Sequence, residues 1–155
     1  MNYRLVPMDR GHISQIAAME QKLFHPPASE RLLEQELYDD TVSVIAAEDE
    51  EGKVLGYGEI RVILDEGCLE KIAVAEEYRR QGIAQSILDV FLRFGREKLA
   101  FLTLEVRVSN RPAMEFYLKN EFEQVGRRKN YYSDPQEDAI LMTLEFEHGT
   151  ENGDT

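Results

Sequence analysis

The chain opens on alternating positions: Tyr3-Arg4-Leu5-Val6 reads as a short strand that Pro7 ends. The period then changes. Asp9 is a good helix cap, and Ile13, Ile16, Ala17 and Leu23 recur at near-helical spacing until Pro26-Pro27 breaks the run. Ser29 can cap a second helix with Leu32, Leu33 and Leu37 on one face. Residues 41–48 form a strand, Glu50-Glu51-Gly52-Lys53 a hairpin turn, and residues 54–64 a long returning strand. Asp65-Glu66-Gly67 turns the chain again, into a strand that ends at Val74. An apolar stripe at Ile83, Ile87, Leu88, Phe91 and Phe94 predicts a long helix over about 82–98. A strand over 101–108 follows, then a helix over 111–119 that tolerates Pro112 in its first turn. Residues 122–130 and 139–146 close as paired strands, and 148–155 is a polar tail expected to be mobile.

Four strands interrupted by two early helices, then α–β–α–ββ, predict one mixed α/β domain over 1–147, with about seven strands and four helices. The sheet is expected to be mainly antiparallel, with a parallel pair across the long helix. Composition narrows the classes. The 155 residues suit one domain, and 43% hydrophobic with 31% charged residues is ordinary for a globular protein. With 30 acidic against 18 basic residues, the net charge of −12 argues against nonspecific nucleic-acid binding. It fits a basic protein or peptide partner, or serves solubility alone. The single cysteine, Cys68, excludes an internal disulfide and reads as a packed thiol; no cysteine–histidine spacing suggests zinc, and no metal is expected. His12, His25 and His148 are scattered. No apolar run approaches the ~18–20 residues of a membrane span. MNYRLVPMDR lacks the core of a secretory signal, so a cytoplasmic location is expected.

The densest chemistry lies where the strand end Ile72-Ala73-Val74 leads through Arg79-Arg80-Gln81-Gly82-Ile83-Ala84 into the long helix. The first amides of a helix lack partners and its dipole makes that end positive. A glycine there admits a bulky anion, and two arginines add charged donors, so the simplest ligand is a pyrophosphate. The pattern is neither GxGxxG nor GxxxxGK[ST]. The plain alternative is a loop glycine beside a solvated arginine pair.

RRQGIA matches the acyl-coenzyme-A turn (Q/R)xxGx(G/A) of the GNAT superfamily of N-acetyltransferases, with Arg79, Gly82 and Ala84 in the defining places. LEVRVSN, FYLKNEF, RRKNYY and EDAILM resemble the bacterial RimI-like group, which acetylates the N-terminal alanine of a small-subunit ribosomal protein. The resemblance implies a GNAT-like domain whose central parallel pair is splayed. It implies acetyl-CoA as co-substrate and no metal. Ile72, Ala73 and Val74 would offer backbone groups to the pantetheine arm, and the Val74 amide could polarise the thioester. Arg79 and the run Arg80, Gln81, Gly82, Ile83, Ala84 and Gln85 would hold the pyrophosphate. Asn110 would touch the coenzyme as well as cap a helix.

Acetyl transfer to an amine needs a base, a proton donor for the leaving thiolate, a polarised carbonyl and a fixed coenzyme. In FLTLEVRV, Glu105 shares the face of Thr103 and Arg107, where a glutamate is often merely solvated. The resemblance implies that it is the base. Tyr117 beside Phe116 reads as a core tyrosine, and the resemblance implies that it is the acid. Tyr131, Tyr132 and Asp138 are expected to shape the acceptor slot, with Asp138 meeting a peptide α-ammonium, although Ser133-Asp134-Pro135 is also a simple turn. Arg127-Arg128-Lys129, a basic run in an acidic protein, reads as a solvated strand end. The resemblance departs at 24–29, FHPPAS, where the group carries a PWS-like pattern; this chain has no tryptophan. The expected partner is a basic ribosomal protein or its N-terminal peptide, with no nucleic acid or membrane, and the protein is expected to be a monomer or weak dimer. Two alternatives stay open: a small-molecule amine as acceptor, or a non-catalytic coenzyme-A-binding module.

Overall fold

The computed structural model describes residues 2–147; His148 and the polar tail lie outside the described residues. Four helices and seven strands run in the order β1 (Tyr3–Pro7), α1 (Ile13–Leu23), α2 (Glu30–Glu36), β2 (Val42–Asp49), β3 (Val54–Ile63), β4 (Glu66–Val74), α3 (Ile83–Lys98), β5 (Phe101–Arg107), α4 (Arg111–Lys119), β6 (Glu123–Ser133) and β7 (Gln136–Glu145). The strands form one mixed sheet in the order β1-β2-β3-β4-β5-β7-β6, in which β4 and β5 are the parallel pair. That pairing covers only Glu66–Cys68 against Phe101–Thr103, although both strands run on. By contact density the chain divides into two units, Met1–Ile63 with Leu69–Arg93, and Leu64–Cys68 with Phe94 onward.

In the first unit, the Asp9 side chain accepts the Gly11 amide at 2.8 Å and caps a 3₁₀ turn, Arg10–His12, ahead of α1. Ile13, Ile16 and Ala17 turn inward as the period requires, and so does Glu20. The Ser29 hydroxyl accepts the Leu32 amide at 3.1 Å and starts α2. Only part of the expected α2 face is buried: Leu33 is covered, but Leu32, one residue earlier and some 100° around the helix, is 44% exposed. Along α3, Ile83, Ile87, Phe91, Leu88 and Leu92 are buried in steps of four. Phe94, expected in that stripe, is 41% exposed. A Cβ on Gly58 of β3 would stand 2.5 Å from Ile87 and 3.0 Å from Phe91, so glycine lets α3 lie close on the sheet.

In the second unit, Leu102, Leu104 and Val106 of β5 are buried with Tyr117, Phe122, Ala139, Ile140 and Met142. The expected turn at 65–67 falls at Leu64-Asp65 instead. Gly67 belongs to β4, where a Cβ would meet Leu99 at 2.7 Å; close packing, and not a turn, requires it. β6 and β7 extend three residues further toward their hairpin than the expected 130 and 139. The cause is a bulge. Arg128 pairs with Ala139 and Tyr132 with Glu137, so Lys129, Asn130 and Tyr131 stand opposite Asp138 alone. Asn130 takes φ 54 there, and the interruption breaks the alternation that marks a strand. No helix among the described residues is long and apolar enough to cross a membrane.

Candidate active site

The first unit builds a strand–turn–helix around the expected pyrophosphate loop. β4 ends at Val74, and the Ala75 amide donates to the Leu55 carbonyl at 2.9 Å. A 3₁₀ turn, Glu76–Tyr78, follows that the sequence pattern did not reveal. Arg79 folds back, its Nε donating to the Val74 carbonyl at 3.0 Å, so this arginine braces the strand end. Arg80 and Gly82 adopt φ 65 and φ 84, two left-handed residues with Gln81 between them. Alternating backbone of this kind gathers amides into an anion-binding concavity. The Ser86 amide donates to the Gly82 carbonyl at 3.0 Å, which makes Gly82 the cap and leaves Ile83, Ala84 and Gln85 to open the helix. No atom lies within 4 Å of where a Gly82 Cβ would stand. Its glycine is therefore demanded by φ, while the space before the helix stays open. Arg80 and Gln81 are exposed; Ile72 and Val74 are half-buried beside buried Ala73. The Gln85 side chain donates to Asp89 at 2.9 Å.

The second unit gathers the expected base with a set of neighbours from β6 and β7. Glu105 alternates outward on β5, as its spacing predicts, and its Oε2 accepts from Arg128 Nε at 2.9 Å. Tyr131 and Tyr132 meet edge to face at 5.1 Å, with the Arg128 guanidinium 5.6 Å from the Tyr131 ring and that of Arg107 4.3 Å from Tyr132. Burial, then the charge of Glu105, pushes the Tyr132 hydroxyl up to about 12. Arg107 is fixed on the hairpin, donating to the Pro135 carbonyl at 2.9 Å and the Asp134 carbonyl at 3.2 Å and pairing with Glu137 at 3.4 Å. Glu137 in turn accepts the Ser109 amide at 3.1 Å, and hydrogen bonding to the Ser109 side chain, then to that amide, holds its carboxyl below the usual range.

Tyr117, the expected acid, is a buried residue of α4 between Phe116 and Phe122, with edge contacts at 5.2 and 5.5 Å. Burial alone pushes its hydroxyl up to about 12, so it stays protonated at neutral pH and able to donate. The Asn110 side chain accepts the Ala113 amide at 3.2 Å and caps α4 ahead of Pro112. Asp138 is not gathered with Glu105. Its carboxylate accepts the Asn130 amide at 2.8 Å and Arg127 Nε at 2.6 Å, and those bonds hold it below the usual aspartate range. It clamps the bulge, so an incoming α-ammonium would have to compete with partners already in place.

A buried polar cluster in the first unit escaped sequence reading. Glu20, 0% exposed, accepts the Ala28 amide and Lys71 Nζ, each at 2.8 Å, and the Tyr57 hydroxyl. Lys71 also lies 4.7 Å from the Phe24 ring, so the departing 24–29 loop is tied to α1 and β4. Glu59 and Glu36 share a hydrogen bond; burial, then the charge of Glu36, pushes Glu59 up to about 8. One signal was available: Glu20 continues the inward positions 13, 16 and 17, where a carboxylate must find partners.

A family model described as the acetyltransferase (GNAT) family matches residues 12–122, and the chain belongs to that family. It is similar to a Bacillus subtilis protein provisionally named [ribosomal protein bS18]-alanine N-acetyltransferase, at 34% identity over 142 residues, 91% of each chain. The Escherichia coli (strain K12) [ribosomal protein bS18]-alanine N-acetyltransferase is 38% identical over 96 residues, 60% of this chain and 65% of that one. The crystal structure of the ribosomal-protein-S18-alanine N-acetyltransferase from Escherichia coli superposes with a TM-score of 0.86 at 28% identity, covering 99% of this chain and 100% of the other.

Proposed function

We propose that this acetyltransferase moves the acetyl group of acetyl-CoA to the N-terminal α-amine of a protein, and that its acceptor is the N-terminal alanine of a small-subunit ribosomal protein. The observation that carries the acceptor is the end-to-end similarity to the Bacillus subtilis protein provisionally named for bS18-alanine N-acetylation, at 91% of both lengths. Acetyl-CoA supplies the activated acetyl thioester. The open turn from Arg80 to Gln85 fits its pyrophosphate, because the glycine there serves φ and leaves the space in front empty of protein atoms. Ile72, Ala73 and Val74 hold the pantetheine arm through their backbone, and the Val74 amide polarises the carbonyl. Arg79 acts by bracing Val74, through its hydrogen bond to that carbonyl. Asn110 orients α4 as its cap.

Glu105 takes a proton from the acceptor's ammonium, and the freed amine attacks in a direct transfer. Tyr117, protonated at neutral pH, gives its proton to the departing thiolate. Tyr131 and Tyr132 wall the acceptor slot, and a net charge of −12 draws a basic partner in the cytoplasm, to a protein acting as a monomer or weak dimer. The tryptophan-free 24–29 loop is the feature that favours a second reading, a small amine as acceptor. A competition by kcat/KM separates them. Alanine-first peptides are expected to be acetylated faster than spermidine, aminoglycosides or free lysine; polyamines outrunning every alanine-first peptide would overturn the assignment.

A further inference from the structure

We propose that Arg128 is a placeholder cation: in the free protein its guanidinium occupies Glu105, and the acceptor's ammonium displaces it on binding. This rests on the reading of Glu105 as the group that meets the acceptor amine. The three arginines around the bulge differ in how they are held. Arg127 is bound to Asp138 at 2.6 Å. Arg107 is bound to two carbonyls and to Glu137. Arg128 has the Glu105 pair, at 2.9 Å, and the face of Tyr131 at 5.6 Å. Its side chain is 56% exposed and that of Glu105 29%, and an ion pair so open to water is weak and readily exchanged.

The geometry sets the two cations in competition. Arg128 sits on Oε2, and an ammonium brought to the same carboxylate is repelled by the guanidinium beside it. Arg128 immediately precedes the bulged residues Lys129–Tyr131, where regular pairing to β7 lapses. Tyr131 is half exposed and offers a displaced guanidinium a ring face. Arg128 thus keeps the carboxylate occupied until a cation that can hydrogen-bond to it arrives. It is a positioning residue and acts through Glu105.

A binding cycle tests this without relying on turnover. The affinity of an alanine-first peptide is measured by calorimetry, in the absence of acetyl-CoA, for the wild type, Arg128→Gln, Arg128→Lys, Glu105→Gln and the Arg128→Gln/Glu105→Gln double variant. Arg128→Gln is expected to tighten the peptide about three- to ten-fold, the size of a contact-pair coupling. Arg128→Lys restores wild-type affinity, and Arg128→Gln has no effect once Glu105 is glutamine. In kinetics, KM for the peptide falls in Arg128→Gln while kcat changes less. An unchanged or weakened affinity in Arg128→Gln, or equal tightening in both backgrounds, overturns the placeholder. If Glu105→Gln turns over like the wild type, the base assignment fails while the binding cycle still judges Arg128.

Discussion

Glu105 was legible from its segment and its alternation, but its partner was not. Arg128 sits 23 positions later on another strand, inside a basic run that reads as a solvated strand end. Only the pairing of β7 with both β5 and β6 brings it to the carboxylate. Asp138 shows the converse. Its chemistry suits an ammonium, yet the hairpin's own need for a clamp on an unpaired amide takes it first. Glu59 offers a test at the same scale. Its pKa rises from an ordinary 4.5 to about 8 because burial and then Glu36 disfavour its charge. A raised folded-state pKa stabilises fully below 4.5, and that stability is lost as pH climbs through 8. Glu36, also raised by burial, adds to the same window, while Asp39, Glu48, Glu137 and Asp138 are shifted downward and act at the acid end. Glu59→Gln, neutral at every pH, is therefore expected to melt a few degrees higher than the wild type at pH 8 and level with it near pH 5; about 1 kcal/mol moves Tm by ~2–4 °C at this size. Thermal denaturation from pH 5 to 9 decides it, and an equal or lower Tm at pH 8 would refute the raised Glu59 pKa.

At the scale of elements, periodicity was a good guide wherever one face of an element packs and the other is wet. Ile83, Ile87, Leu88 and Phe91 placed α3, and Asn110 with Pro112 placed the start of α4. Periodicity erred where packing substitutes for it. The stripe of α3 continues from Phe91 to Gly95 and not to Phe94, because the Phe146 ring would lie 2.3 Å from a Cβ at position 95. A glycine in an apolar row is invisible to a hydrophobic count. Gly67 misled in the other direction, since Asp-Glu-Gly resembles a turn. The turn between β4 and α3 needs its glycine for φ 84, where the sequence pointed to room for an anion, and it carries the next expectation. Gly82→Asp places a carboxylate at φ 84 in the open space before the first helical amides. Acetyl-CoA binding by calorimetry should be lost, through repulsion of the pyrophosphate more than through unfolding. An unchanged affinity, with the circular dichroism of the wild type, would remove this turn from the coenzyme site.

At the scale of the molecule, strand count, helix count and the parallel pair followed from element order, because a strand–helix–strand connection within one sheet returns parallel. The insertion of β7 between β5 and β6 was not readable: a hairpin is local, but which of its strands joins the sheet depends on the whole buried surface. Net charge suggested the sign of a partner and nothing finer; the identity of the acceptor rests on similarity to named relatives. What distinguishes an N-terminal acetyltransferase from any other amine acetyltransferase is the atom that is modified. The most direct measurement incubates the protein with acetyl-CoA and an alanine-first peptide that also contains lysine, then locates the acetyl group by fragment mass spectrometry. If Glu105, paired with Arg128 at 2.9 Å, deprotonates the acceptor, a single acetyl appears on the alanine α-nitrogen; acetylation of lysine Nζ with the α-amine left free would contradict the account.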